Sequence, residues 1–186
     1  MDSPWENPWL TLIGLGEDGP AALSPASHEA LARAEVIFGG PRHLAMLDAR
    51  DRGQAWPVPF DLGPVLAARG RAVVVLASGD PFWFGAGGSL MAHLEPGEWV
   101  SHPAPSAFQL AANRLGWRLE ECLCLGLHAA PFARLRPVLG RGVRAICTLR
   151  DGAAVAELAA WLAANNHAGA KLTVLERLGG PGERIT

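Results

Sequence analysis

The chain has 186 residues, 49% hydrophobic and only 18% charged, which excludes a disordered chain and fits a well-buried protein of one large domain or two small ones. A formal net charge of -2 provides no general basic field, so nucleic acid is not expected as a partner. No apolar stretch approaches the roughly 20 residues needed to span a bilayer, and Met1–Pro8 lacks the basic and apolar regions of a signal peptide, so the expectation is a soluble chain with no membrane contact.

Trp9–Leu15 is an apolar, β-prone run that ends in a tight glycine loop. Ser24–Ala34 reads as a helix, with Ser24 as N-cap, Pro25 at the first helical position, and Leu23, Ala30, Leu31 and Ala34 as its apolar stripe. Val36–Phe38 is a short strand ending at Gly39-Gly40, and Pro41–Leu47 begins a second short helix. Asp61–Ala68 reads as helical. Ala72–Ala77 is an unbroken apolar run between turn residues, the pattern of a central parallel strand covered on both faces. Gly85–His93 reads as a helix and Trp99–His102 as a strand. The prolines of Pro103-Ala104-Pro105 mark a domain boundary, dividing the chain into 1–103 and 104–186. Beyond it come a helix capped by Ser106, a strand over Leu123–Leu127, a helix over Phe132–Leu139, a strand over Val143–Leu149, a helix over Ala153–Ala164 and a strand over Leu172–Leu175. Only a loop and Ile185-Thr186 follow, which suggests a missing final hairpin or a further domain. The alternation predicts an α/β fold with two mainly parallel sheets flanked by helices.

Cys122, Cys124 and Cys147 are odd in number and lack CxxC spacing, so they read as small buried residues in a reducing cytoplasm. His28, His43, His93, His102, His128 and His167 are scattered without HExxH spacing, and no metal is expected. The segment Gly14-Leu15-Gly16-Glu17-Asp18-Gly19 matches GxGxxG literally. Pro20 follows at once, however, and the second strand ends without a carboxylate, so a nicotinamide dinucleotide fits poorly. The loop Ser78-Gly79-Asp80-Pro81-Phe82-Trp83-Phe84-Gly85 leaves the most buried strand at its carboxyl end, where open α/β sheets place ligands. Gly79 allows close backbone approach, Asp80 can accept hydrogen bonds from amines or hydroxyls, and the aromatics offer a wall for a heterocycle. A plain Gly-Asp-Pro turn with aromatics packed into the core competes with that reading.

Taken in order, these motifs resemble the tetrapyrrole methylase family, the S-adenosylmethionine-dependent methyltransferases of corrin and sirohaem synthesis. The resemblance rests on Leu12-Ile13-Gly14-Leu15-Gly16, Gly79-Asp80-Pro81 and Pro103-Ala104-Pro105-Ser106-Ala107-Phe108-Gln109-Leu110-Ala111. Gly39-Gly40-Pro41-Arg42-His43-Leu44, Leu127-His128 and the segment from Leu175 to Ile185 are similar to its precorrin C(5,15)-methylating branch. The resemblance implies two stacked α/β domains with S-adenosylmethionine in the cleft between them, S-adenosylhomocysteine as product, and a homodimer. It implies methylation of a precorrin meso carbon, carbon 5 for this chain, with a fused C-terminal domain handling a second methylation and a decarboxylation. A catalytically idle tetrapyrrole-binding or scaffolding domain serving a fused partner is the alternative class.

Carried onto this sequence, the cofactor residues are Gly14, Gly16, Gly79, Asp80, Pro81, Trp83, Ser106 and Ala107, with Leu127 and Thr148 lining an adenine pocket. Arg42, His43 and Arg150 are candidate anchors for the many substrate carboxylates, and His128 is the candidate proton acceptor. The sequence departs from the branch at Glu17-Asp18 in the first loop. It departs again at Ala129-Ala130, where the branch leads one to expect Gly-Arg, so no arginine at that point is expected to meet the acidic substrate.

Overall fold

Two strands without a polar face organise the first half of the chain. In the computed structural model, which describes residues 8–186, strands β1 (Leu10–Leu15), β2 (Val36–Gly39), β3 (Gly53–Ala55), β4 (Val73–Ser78) and β5 (Trp99–His102) form one sheet in the order β3-β2-β4-β1-β5. All its pairings are parallel. Every residue of β1, and all of β4 except its last residue, Ser78, is buried, because helices cover both faces of these central strands. Residues 1–7, read above as carrying no leader, lie outside the described residues.

Side-chain alternation sorts the core into two layers. Leu10, Leu12, Val73 and Val75 point to one face, where Val65 of α3 (Gly63–Ala67) and Leu90 of α4 (Ala86–Leu90) cover them. Ile13, Val74 and Leu76 point to the other, beneath Ala30 of α1 (Pro25–Arg33) and Leu44 of α2 (Pro41–Met46). Ser24 caps α1 as its sequence position predicts, its Oγ accepting from the Ser27 amide at 3.1 Å. The chain leaves β1 on the α1 side and crosses β4 to reach β2; it leaves β4 on the α4 side and crosses β1 to reach β5. These opposite departures from neighbouring strands open a crevice outside their carboxyl ends, the usual ligand position in an open parallel sheet.

The unit ending at Ser106 is followed by a second compact unit, Ala107–Thr186. It contains α5 (Ala107–Leu115), the parallel pair β6 (Cys122–Gly126) and β7 (Arg144–Thr148), α6 (Ala153–Ala164), and a hairpin of β8 (Leu175–Glu176) and β9 (Arg184–Ile185). Leu158 and Leu162 of α6 pack with Leu127 and Leu135 into this unit's core. Glu183 anchors the final loop: it pairs with Arg114 of α5 and accepts from the Gly179 amide at 2.7 Å.

Several elements differ from the sequence expectation. Phe132–Leu139 is not a helix; only a 3-10 turn over Phe132–Leu135 forms, since Pro137 has no amide proton to continue an α-helix. Gly85–His93 shortens to α4 and a 3-10 turn over Met91–His93, consistent with the weak helix propensity of Gly87 and Gly88. Leu172–Leu175 does not extend a parallel sheet. The chain instead folds back at Gly179–Gly182, β8 pairs antiparallel with β9, and Val174 exchanges backbone hydrogen bonds with Thr186, so a closing hairpin is present. The second unit thus holds one parallel pair and one antiparallel pair. The edge strand β3 was not foreseen, because its three residues carry no apolar alternation.

Leu12 is completely buried in the α3–α4 layer. Leu12→Ala is expected to cost about 2–5 kcal/mol through lost transfer energy and a residual cavity, measured by denaturant unfolding.

Candidate active site

The crevice between β1 and β4 is built from backbone. Gly79 continues the β4 ladder, its amide donating to the Leu15 carbonyl at 3.1 Å, and its own carbonyl accepts from the Ala104 amide at 3.1 Å. The chain leaving β4 therefore passes over the end of β1 and is tied to the segment after β5. A Cβ on Gly14 would overlap both the Gly79 carbonyl oxygen and the Ala104 nitrogen. Gly79 has φ +61°, and a Cβ there would stand 2.7 Å from the Ser106 Cα.

Beyond Gly79 the loop holds itself. Asp80 Oδ1 accepts from the Phe82 amide at 2.8 Å, an Asx turn, and the Asp80 carbonyl accepts from the Trp83 amide at 3.1 Å. Pro81 is buried, and its carbonyl accepts from the Gly87 amide at 3.0 Å, joining the loop to α4. Phe82 packs against Trp99 with ring centroids 5.3 Å apart, while Phe84 is 54% exposed at the loop surface. In the first glycine loop the Asp18 carboxylate folds over Gly16, and a 3-10 turn over Gly19–Ala22 follows. The helix that a dinucleotide site requires at the third glycine is absent.

The opposite side of the crevice is polar. His43 of α2 is 9% exposed, and its Nε2 lies 3.0 Å from the Oγ of Ser78, the exposed last residue of β4. Arg42 Nη2 lies 3.3 Å from the same Nε2 and 3.5 Å from the Ser78 hydroxyl, and Arg42 Nη1 pairs with Glu17 from the loop after β1. Burial, and secondarily the Arg42 guanidinium, lowers the His43 pKa from its ordinary 6.5. His43 Nδ1 is buried without a hydrogen-bond partner.

Gly14, Gly16, Arg42, His43, Gly79, Asp80, Pro81, Trp83 and Ser106 thus belong to the first unit, where β-strand ends and the start of α2 assemble them. Ser106 is buried beneath Gly79. Ala107, Leu127, His128, Thr148 and Arg150 belong to the second. There the Leu127 amide donates to the Thr148 carbonyl at 2.9 Å, His128 Nδ1 lies 3.3 Å from Thr148 Oγ1, and the Leu127 side chain is 4% exposed within the core. Ala107 is the exposed first residue of α5. Arg150 is exposed and paired with Asp151 and Glu157. A recess of about 290 Å³ is lined by Leu127, His128 and Arg150 among others. Burial pushes the Cys147 thiol up to about 11, so it is not a thiolate nucleophile at neutral pH. In the sequence Ser78 stands only as the start of its loop and Glu17 only as an acid that departs from the branch; neither is expected among the site residues. Alternation along β4 could have found Ser78, which shares its face with Val74, Leu76 and α2.

This is an α/β protein of the class that presents backbone and short polar side chains at a strand crossover point, with no metal cluster among the described residues. Residues 9–186 match the family described as Tetrapyrrole (Corrin/Porphyrin) Methylases, and the chain belongs to that family. It is 44% identical over 184 residues to a Sinorhizobium protein named precorrin-6Y C(5,15)-methyltransferase [decarboxylating], covering 97% of this chain and 45% of that one. The chain therefore spans about half the length of that relative. It is 31% identical over 180 residues to a Salmonella typhimurium protein named cobalt-precorrin-7 C(5)-methyltransferase, covering 95% of this chain and 88% of that one. A crystal structure titled cobalamin biosynthesis precorrin-6Y methylase, from Archaeoglobus fulgidus, superposes with a TM-score of 0.67 at 25% identity, covering 95% of this chain and 87% of that one.

Gly14→Ala is expected to destabilise the protein by about 3 kcal/mol or more, because two backbone segments must move. Gly88→Ala, on the exposed face of α4 with open space where the new methyl group would stand, should stabilise by about 0.5–1 kcal/mol. Chemical denaturation of both variants checks the pair.

The folded state binds a proton at His43 less readily than the unfolded chain does. The corresponding stability is full above pH 6.5 and is lost as pH falls from there toward the lower folded value. His43→Asn should flatten the stability profile between pH 6.5 and about 5, above the range where the lowered carboxylates titrate. Denaturation midpoints across that range measure it.

Proposed function

We propose that this chain transfers a methyl group from S-adenosylmethionine to a meso carbon, carbon 5, of a precorrin in cobalamin biosynthesis. The observation that carries the reading is the match to the Salmonella protein named for C(5) methylation, which this chain covers over 88% of its length. The word decarboxylating in the Sinorhizobium name belongs to a protein of which this chain spans 45%, so that activity is assigned to a fused or associated partner domain. A homodimer is part of the same proposal.

The backbone cradle suits such a donor. Gly14 and left-handed Gly79 let the β4 loop and the segment after β5 close over the end of β1, since a Cβ at either position would meet backbone. Asp80 keeps Oδ2 for a further donor while Oδ1 holds the turn, which matches the cationic amine of a methionine moiety or a ribose hydroxyl. When bound, S-adenosylmethionine supplies a sulfonium methyl group for in-line displacement by carbon. The residues proposed to hold it in the first unit are Gly14, Gly16, Gly79, Asp80, Pro81, Trp83 and Ser106. In the second unit, Ala107, Thr148 and Leu127 are the candidates, Leu127 through its backbone because its side chain is buried. Arg42 and Arg150 carry positive charge suited to substrate carboxylates, each tempered by its acidic neighbours. The task of these residues is alignment and exclusion of water.

Titration calorimetry with S-adenosylhomocysteine, together with mass spectrometry of the products from precorrin-6Y and from cobalt-precorrin-7, tests the reading. Expected are binding to the folded protein and gain of one methyl group; a folded sample that shows neither overturns it. Asp80→Asn, which retains an oxygen for the Phe82 amide, should keep the fold and weaken S-adenosylhomocysteine binding about tenfold, through loss of a charge-assisted hydrogen bond.

A further inference from the structure

We infer that Ser78 and His43 form the proton-accepting pair of the methylation site, with the Ser78 hydroxyl meeting the substrate and the His43 imidazole receiving the proton behind it. The inference rests on the methyltransferase reading above and gives the proton-accepting step, for which the resemblance offered His128, to a different pair.

The chemistry requires an acceptor. As a meso carbon bearing one hydrogen attacks the sulfonium methyl group, ring π electrons form the new carbon–carbon bond. The carbon–sulfur bond breaks with its electrons going to sulfur. The ring carbon then carries both hydrogen and methyl, and the conjugated system holds a positive charge. Conjugation returns when the C–H proton leaves and its electron pair re-enters the ring. Net, one hydrogen is replaced by methyl and one proton is released, so a base must take that proton.

The geometry supplies a base at the crevice. Ser78 ends β4 immediately before the Gly79 cradle and is exposed, whereas His43 is buried behind it at 3.0 Å. The side chain of Ser78 lies on the α2 face of the sheet, in register with Val74 and Leu76. The tautomer follows from Arg42. A guanidinium can only donate, and its Nη2 lies 3.3 Å from His43 Nε2, so we assign the lone pair to Nε2 and the ring proton to Nδ1, which is buried without a hydrogen-bond partner. Ser78 then donates its hydroxyl proton to Nε2 and keeps its oxygen lone pairs for an incoming proton. Transfer runs from carbon to Ser78 Oγ as the hydroxyl proton passes to Nε2. The charged groups around the ring are Arg42 on its own helix and Glu17, which reaches it through Arg42. Burial and Arg42 keep the resting imidazole neutral and make the imidazolium short-lived, which returns the proton to solvent and resets the pair.

The test compares wild type, Ser78→Ala, Ser78→Thr, His43→Asn and His128→Ala, using precorrin-6Y carrying hydrogen or deuterium at the methylated carbon. Nitrogen NMR of histidine-labelled protein accompanies it. Expected at neutral pH is an unprotonated Nε2 on His43. Ser78→Ala and His43→Asn should bind S-adenosylhomocysteine like wild type and form product about 100-fold more slowly. They should also show a primary deuterium isotope effect that is absent from wild type and from Ser78→Thr, because proton loss has become limiting. A protonated Nε2, undiminished rates without an isotope effect, or an isotope effect in His128→Ala alone overturns the assignment while leaving the methyltransferase reading intact. Wild type that forms no methylated product overturns both.

Discussion

Three backbone segments meet over the α-carbon of Gly14, and the rest of the site depends on there being no side chain at that point. The end of β1 passes beneath the Gly79 carbonyl, and that carbonyl in turn binds the Ala104 amide beyond β5. Any Cβ at position 14 would force the β4 loop away from the sheet and break the tie to Ala104. The loop after β4 is therefore held mainly by main-chain hydrogen bonds, with the Asp80 side chain closing its turn. A site that works by alignment needs this kind of rigidity, since small misplacements of reacting atoms cost large factors in rate.

The same strand ends show how a parallel sheet divides its labour. Connections leave β1 and β4 on opposite faces, so the two layers of the core deliver different chemistry to one crevice. The α3–α4 face contributes the glycine crossing and the Asp80–Pro81 turn, a surface of backbone with a single carboxylate. The α1–α2 face contributes His43, Arg42 and Ser78. Ser78 extends the buried row of Val74 and Leu76 by one residue, at the point where that row reaches the surface. Its exposure and its partnership with a buried histidine both come from that position.

The features legible in the sequence were those set locally. The unbroken apolar run of β4, the Ser24-Pro25 start of α1 and the apolar spacing within Ala153–Ala164 each fix their element through neighbours a few residues away. The glycines at 14 and 79 were legible as turns at strand ends, although the crossing that makes Gly14 necessary was not. Features set by distant partners were missed. β3 exists because Ile37, Phe38 and Gly39 offer an edge to three residues with no apolar alternation. The terminal hairpin depends on Val174 meeting Thr186 and on Glu183 reaching Arg114, 69 positions away. The polar half of the site joins Glu17, Arg42 and Ser78 across separations of 25 and 36 residues, which no short motif encodes.

Arg42 sets the electrostatic character of that polar half. Alone beside a buried imidazole, it would simply oppose protonation. Its pairing with Glu17 offsets part of its charge and fixes the guanidinium plane, so that Nη2 points at the lone pair of His43 and the oxygen of Ser78. Glu17 is thus the reason the first glycine loop can be acidic beside a site expected to meet carboxylates. Its charge is turned inward onto Arg42, and the surface it leaves is less repulsive than its sequence suggests. Asp18 lies folded over Gly16, where a Cβ would meet its carboxylate. The two acids that distinguish this loop therefore have separate partners: Glu17 pairs with Arg42, the neighbour of His43, and Asp18 packs over Gly16.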